Sequence, residues 1–217
     1  EKYGVEGVAF PGTAEAYELG GDGVAKAIDT ADYRTRIVVY RAADAARFNG
    51  TVVVEWRNVS GGLDGSPDWT FLHREMMRSG YAWVGVSAQF VGVHGGQSLV
   101  ATANSGGLAE VDPERYGSLS HPGDIFSFDI YSQAGAVARG AEATVLADLP
   151  VERVIAIGES QSAMRLTTYI NAVDPVAPTY DGFFVHARGR PGSHLDARGP
   201  VRAPAAPHQT FRDTLAV

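Results

Sequence analysis

The sequence predicts an α/β fold in which a mostly parallel central sheet is flanked by helices. From residue 51 onward, β-rich runs alternate with helical stretches, as in parallel strands joined by crossover helices. The run 154–157 is apolar throughout, which is typical of a strand that is covered on both faces. A chain of 217 residues is also long enough to form one such domain with a sizeable core.

Each element is predicted from local pattern. Two apolar pieces near the start, 7–10 and 16–19, are interpreted as edge strands or extended arms. One helix is expected to begin at an Asp68 N-cap and to end at Gly80. Another is expected from Asp124 to Val145, because apolar residues recur there at steps of three and four. Further strands are expected at 35–41, 51–56, 81–87, 154–157 and 180–186.

The domain organisation follows from these elements. Residues 1–186 are predicted to form the N-terminal portion of one α/β domain. Within it, residues 89–123 show no steady period and contain several Gly and Pro, which favours a long functional loop or lid. Residues 187–217 are rich in Pro and Arg and are interpreted as a loop or cap segment that leads to strands missing from this chain.

Composition argues against several classes of function. Hydrophobic residues make up 45% of the chain and charged residues 20%, which is typical of a globular domain. The net charge of −7 argues against a nucleic-acid binder, and no apolar run approaches the roughly 18 residues of a membrane span. Cys is absent, and no His or carboxylate pair has a metal-site spacing such as H-E-x-x-H. The sequence therefore predicts neither a metal nor a cofactor.

The stretch 151–172 carries the prediction of function. The apolar strand 154–157 runs into a turn with the sequence G-E-S-Q-S at 158–162, and a helix follows. This order is typical of a nucleophile elbow, a strained strand-to-helix turn that exposes a serine hydroxyl. The usual pattern is G-x-S-x-G, so Ser162 keeps the small size of the last glycine but not its freedom to take positive φ. Ser160 is the predicted nucleophile; the alternative is a serine in an ordinary turn of another α/β protein.

Acyl transfer also needs N–H donors for the oxyanion that develops in the transition state. The residue after the nucleophile, Gln161, is expected to supply one backbone N–H. The second is expected from the small-residue loop after strand 51–56, where Val59 is the first choice and Ser60 the neighbouring one. Gln161 is thus expected to matter through its backbone, and Glu159 is expected to point away from the nucleophile.

These features together resemble the α/β-hydrolase superfamily, and within it a bacterial esterase-like family with a G-E-S-Q-S elbow. The resemblance rests on the elbow and on three other segments, 48–62, 79–89 and 115–124, and it covers most of residues 48–186. It implies the α/β-hydrolase fold, incomplete here at its C-terminal side.

The resemblance also implies where the other catalytic residues lie. In this superfamily the acid and the histidine follow the nucleophile along the chain, after later strands. Both are therefore expected outside these 217 residues, in a companion C-terminal segment or chain. Two histidines within the chain are alternative bases: His186, at the end of strand 180–186, and His208, which lies near Asp213 in sequence.

The sequence thus predicts a serine carboxyl-ester hydrolase that forms an acyl-enzyme on Ser160 and acts on a small-molecule ester. The alternative, from another class, is a non-catalytic α/β-hydrolase-like binding protein or assembly subunit, which would explain the missing acid and base. A nucleotide-binding domain is disfavoured because no G-x-G-x-x-G or Walker-type loop follows an early strand.

Overall fold

The computed structural model describes residues 3–100, 106–140, 146, 149–189 and 192–195. Six strands form one sheet: β1 (Tyr3–Leu19), β2 (Ala25–Ala42), β3 (Thr51–Trp56), β4 (Ala82–Val86), β5 (Arg153–Glu159) and β6 (Gly182–His186). Their order in space is β1-β2-β4-β3-β5-β6. Strands β3 to β6 are mutually parallel, whereas β2 runs antiparallel to both β1 and β4. The predicted α/β class with a mostly parallel sheet is confirmed.

Helices connect the parallel strands and flank the sheet. They are α1 (Pro67–Arg78), α2 (Phe90–His94), α3 (Leu108–Val111), α4 (Pro113–Tyr116), α5 (Ser127–Ala138) and α6 (Gln161–Thr168). A π-helical turn, Tyr169–Val173, continues α6.

The sheet has two differently covered faces. On one face, α5 and α6 complete the main core, in which Trp56 packs edge-on against Phe128 with ring centroids 5.5 Å apart. On the other face, α1 covers a smaller cluster of Val53, Met76, Trp83 and Ile157. Beside α1 an open groove of about 480 Å³ is lined mainly by apolar side chains, among them Leu72, Ile155 and Phe184.

The N-terminal segment forms an edge strand, one of the two predicted interpretations, but as one long strand instead of two short pieces. The pieces at 7–10 and 16–19 belong to one strand, β1, which pairs along its length with β2 in a long hairpin with an irregularity between Ala16 and Tyr17. The predicted strand 35–41 is the end of β2 that also pairs with β4. Much of the first part of β2 is exposed, so its apolar pattern is weak.

The bounds of the two predicted helices are corrected in detail, although the second helical stretch does begin at Asp124 as predicted. Helix α1 begins one residue before Asp68, with Pro67 at its first position and Ser66 as the N-cap residue, because proline suits the first helical turn. The stripe that starts at Asp124 first forms a 3₁₀ turn, Asp124–Phe126, and the α-helix then ends at Ala138. Val145, the predicted end, lies outside the described residues.

The segment 89–123 is predicted as a loop and contains short helices. Helices α2, α3 and α4 lie in it, each only four or five residues long. The segment contacts the loop after β3, because the N–H groups of Leu99 and Val100 both donate to the Ser60 carbonyl oxygen.

Candidate active site

Ser160 lies in the sharp turn between β5 and α6, at the carboxyl edge of the parallel strands. Its backbone has φ 55° and ψ −109°, and among the described non-glycine residues only Ser160 and Ala187 have positive φ. Such a conformation costs roughly 1–3 kcal/mol and persists only where the surroundings enforce it. The strain therefore falls on the serine that the sequence singles out.

Two hydrogen bonds hold the turn from opposite sides. The N–H of Ser160 donates to the carbonyl oxygen of His186, at the end of β6, over 3.2 Å. The Asn58 side-chain amide donates to the Glu159 carbonyl oxygen over 3.0 Å. The turn is thus fixed between the neighbouring strand end and the loop after β3.

The glycine and the serine that flank the nucleophile have different roles. A Cβ at Gly158 would lie 2.9 Å from Leu166 Cδ1 and 3.1 Å from the Ser162 side chain, so strand and helix approach too closely there for a larger residue. Ser162 lies inside α6, and positive φ occurs at Ser160 instead. Serine in place of the usual last glycine is therefore compatible with the turn.

The loop after β3 forms a closed turn. The backbones of Asn58 and Gly65 exchange two hydrogen bonds of 2.8 and 2.9 Å. Asp64 anchors this turn, because its carboxylate accepts a hydrogen bond of 2.6 Å from Ser87 and pairs with the guanidinium groups of Arg36 and Arg57 at 2.6 and 2.8 Å. The loop is thus held rigidly beside the elbow.

The loop after β3 and the start of α6 meet where the Val59 backbone faces the Gln161 side chain. The Val59 N–H points to the side-chain oxygen of Gln161 at 3.5 Å, whereas the Ser60 N–H makes a 2.8 Å bond to Asn58 Oδ1. Gln161 is the first residue of α6, where backbone N–H groups have no intrahelical acceptor and the helix dipole favours negative charge. The weakly engaged Val59 N–H is thus better placed for a new acceptor than that of Ser60.

His186 has a carboxylate partner that sequence inspection missed. Its Nε2 atom lies 2.6 Å from Asp68 Oδ1, at the start of α1. Asp68 is buried, while about a third of the His186 side chain is exposed. Among the described residues, no hydrogen bond joins the His186 ring to the Ser160 hydroxyl. His208, the other alternative base, lies outside the described residues.

Glu55 is a second buried carboxylate near this pair. It accepts hydrogen bonds from the N–H groups of Asp68 and Trp69 and from the Trp83 indole, at 2.9 to 3.1 Å, and so caps α1 from the end of β3. Burial raises the pKa of Glu55 to about 8, and the nearby Asp68 charge adds to the rise. Burial also raises the pKa of Asp68, against the effect of its bond to His186.

Behind the elbow lies a buried polar network, which sequence reasoning also missed. It consists of Trp56, Gln89, Asp124, Gln161 and Arg165, which are linked by hydrogen bonds and by a 2.7 Å ion pair between Arg165 and Asp124. Its members fall in or next to the four segments that carry the family resemblance. The signal that could have revealed the network is the presence of these polar residues within or beside those segments.

The described part of the chain offers neither a metal centre nor a spanning helix. It contains no group of three or more His, Asp or Glu side chains arranged to hold a metal ion. Among the helices just described, none is long and apolar enough to cross a membrane.

Comparison with known proteins places the chain in a family. A family described as an alpha/beta hydrolase domain matches residues 3–217, which is almost the entire chain. The chain belongs to this family. The predicted superfamily is thereby confirmed. No curated protein matches the sequence.

Solved structures with a similar arrangement include three described as esterases. Esterase Est22 is 13% identical to this chain, with a TM-score of 0.44, and the match covers 84% of this chain and 43% of the Est22 chain. Brefeldin A esterase, a bacterial homologue of human hormone-sensitive lipase, is 16% identical with a TM-score of 0.38. The match covers 81% of this chain and 39% of that esterase. A fungal esterase from Rhizomucor miehei is 12% identical with a TM-score of 0.38. The match covers 82% of this chain and 43% of the fungal enzyme. The chain thus spans less than half the length of each.

Proposed function

We propose that this chain carries the nucleophile and the oxyanion hole of a serine carboxyl-ester hydrolase. The observation that carries the proposal is the positive φ of Ser160, 55°, in the turn between a buried parallel strand and the N-terminus of α6. A strained serine at this position of an α/β sheet is the geometry of a nucleophile elbow. Membership of an alpha/beta-hydrolase family supports the same class of reaction.

The proposed reaction has two halves. Ser160 Oγ attacks the ester carbonyl carbon and gives its proton to a base, and the carbonyl oxygen becomes an oxyanion bound by the Gln161 and Val59 N–H groups. The tetrahedral intermediate then expels the alcohol, which takes the proton from the base, and an acyl-enzyme remains. Water attacks the acyl-enzyme in the same way and releases the carboxylic acid.

The base and its acid partner are proposed to lie outside these 217 residues, in a companion C-terminal segment or chain. His186 is the alternative within the described residues, because Asp68 could orient its ring. However, the described structure shows no bond from that ring to the Ser160 hydroxyl, and Nε2 is already engaged. His186 is therefore assigned to the support of the elbow.

The test uses the parent polypeptide, meaning the longest natural protein that contains this chain. Hydrolysis of short p-nitrophenyl esters is measured for the wild type, for Ser160→Ala and for Ser79→Ala, a control at the end of α1. We expect Ser160→Ala to abolish turnover and Ser79→Ala to leave it unchanged. Full activity of Ser160→Ala would exclude the proposal, whereas a wild type without any esterase activity would favour a non-catalytic binding protein.

A further inference from the structure

The side chain of Gln161 is buried and joined to both sides of the proposed oxyanion hole. Only 2% of Gln161 is exposed, and 1% of Gln89. The Gln161 amide nitrogen donates to Gln89 Oε1 over 2.8 Å, while the Gln161 amide oxygen faces the Val59 N–H at 3.5 Å. One residue thus supplies a backbone N–H at the start of α6 and touches the loop that offers the second.

The orientation of these two amides is dictated by the ends of the polar network. The Trp56 indole can only donate, so the oxygen of Gln89 faces it, at 3.0 Å. The nitrogen of Gln89 then faces the Asp124 carboxylate, at 3.2 Å, which can only accept when it is ionised. The Arg165 guanidinium pairs with that carboxylate at 2.7 Å, and this charge-assisted contact holds it in place.

The same order of donors and acceptors extends through Gln161 to the loop after β3. Because Gln89 presents oxygen to Gln161, Gln161 must present its nitrogen to Gln89, which leaves its oxygen for the Val59 N–H. This bond is long and therefore weak. It can direct the Val59 N–H and still yield to an oxyanion, which forms a shorter and stronger bond.

We infer that the Gln161 side chain is a positioning residue for the oxyanion hole, held in its orientation by Gln89, Asp124 and Trp56. It aligns the Val59 N–H with the N–H of its own backbone. This inference rests on the proposed function, since it assigns a role in the same reaction.

The first test replaces Gln161 with Leu, which is similar in size but cannot bind either partner. In the parent polypeptide we expect kcat to fall about 10- to 100-fold with KM within about twofold, since the loss affects a donor used in the transition state. The control is Thr167→Val on the same helix, where the buried hydroxyl bonds the Ala163 carbonyl oxygen. It should keep kcat within about twofold of the wild type.

The second test is Gln161→Glu, measured across pH. The ionised carboxylate accepts from Val59 but repels Gln89 Oε1, whereas the protonated acid can donate to Gln89 and accept from Val59. The charged groups that face it through the network are Asp124 and Arg165, and His121 lies near Asp124. We expect the ratio of its kcat to that of the wild type to rise as pH falls, while the Gln161→Leu ratio stays flat.

The outcomes separate this inference from the proposed function. If Ser160→Ala is inactive but Gln161→Leu keeps wild-type kcat, the inference fails and the proposed function stands. If Gln161→Leu and Gln161→Glu lose activity equally at every pH, the side chain is merely structural and the inference also fails. If Gln161→Leu does not fold, as judged by circular dichroism, the pH dependence of the Gln161→Glu kcat relative to the wild type tests the inference. A relative kcat that does not rise as pH falls would overturn it.

Discussion

The Nε2 atom of His186 lies 2.6 Å from Oδ1 of Asp68, and the carbonyl oxygen of the same histidine accepts the N–H of Ser160 at 3.2 Å. Asp68 therefore fixes, through His186, the strand end that supports the strained turn. Ala187, which follows, also has positive φ, 50°, so the strain continues at the end of β6.

This relationship predicts a modest effect of His186→Asn. Because the ring makes no bond to the Ser160 hydroxyl in the described structure, kcat/KM should fall only about tenfold, through a less firmly held turn. Loss of a true catalytic base costs on the order of 10³-fold or more. Steady-state kinetics of His186→Asn and Asp68→Asn measure this, with Ser160→Ala as the reference. A loss in His186→Asn as large as in Ser160→Ala would identify His186 as the base.

Glu55 predicts how the free energy of unfolding depends on pH. Its pKa in the folded protein is raised to about 8, above the ordinary value of 4.5, so folding favours the protonated form. The stabilisation is present below the unfolded pKa and is lost as pH rises through the folded pKa, and the raised pKa of Asp68 acts in the same direction. Urea denaturation at pH 5, 7 and 9 should show falling stability.

The matched variant for this prediction is Glu55→Gln, which cannot ionise. Between pH 5 and 9 its stability should vary less than that of the wild type. An equal pH dependence in both proteins would show that Glu55 does not titrate in this range.

The buried ion pair between Arg165 and Asp124 predicts a large loss of stability in Arg165→Met. Both side chains are almost fully buried, at 2% and 3% exposure, and the substitution leaves the carboxylate unpaired. Breaking such a pair costs about 3–5 kcal/mol. The control is Arg139→Met, because Arg139 pairs with Asp181 near the surface, where a salt bridge contributes about 0–1 kcal/mol. Equal losses in urea denaturation would contradict this account of the network.

The close approach at Gly158 predicts that Gly158→Ala destabilises the elbow. The added methyl group would meet Leu166 at 2.9 Å, and such overpacking costs about 1–3 kcal/mol. Gly21→Ala is the control, because no atom lies within 4 Å of a Cβ there. The unfolding temperature and the esterase activity should both fall in Gly158→Ala and stay near the wild-type values in Gly21→Ala. If neither variant changes either quantity, the close contact at Gly158 does not constrain the turn.

The central strands and the strand-to-helix turn that carries Ser160 could be predicted because their signals are local. The β5 run is apolar over consecutive residues, and its turn carries a glycine and small residues at fixed spacing. The sequence predicts only pieces of the β1–β2 hairpin, because the first part of β2 is mostly exposed and lacks an apolar pattern. Tertiary pairing, rather than local sequence, therefore decides the length of these strands.

The polar contacts of the site could not be predicted for a different reason. Asp68 and His186 are 118 residues apart in the chain, and Gln89 and Gln161 are 72 apart. Their contact depends on the register that brings β4, β3, β5 and β6 side by side. No local pattern indicates that register, so the sequence predicts Asp68 only as a helix cap and Gln161 only as a backbone donor.

The most direct test of the central claim is to find which residue a fluorophosphonate modifies in the parent polypeptide. Peptide mass spectrometry after labelling should place the phosphonyl group on Ser160, and labelling should vanish in Ser160→Ala. Modification of another residue in an active enzyme, or unchanged labelling of Ser160→Ala, would contradict the assignment of Ser160 as the nucleophile.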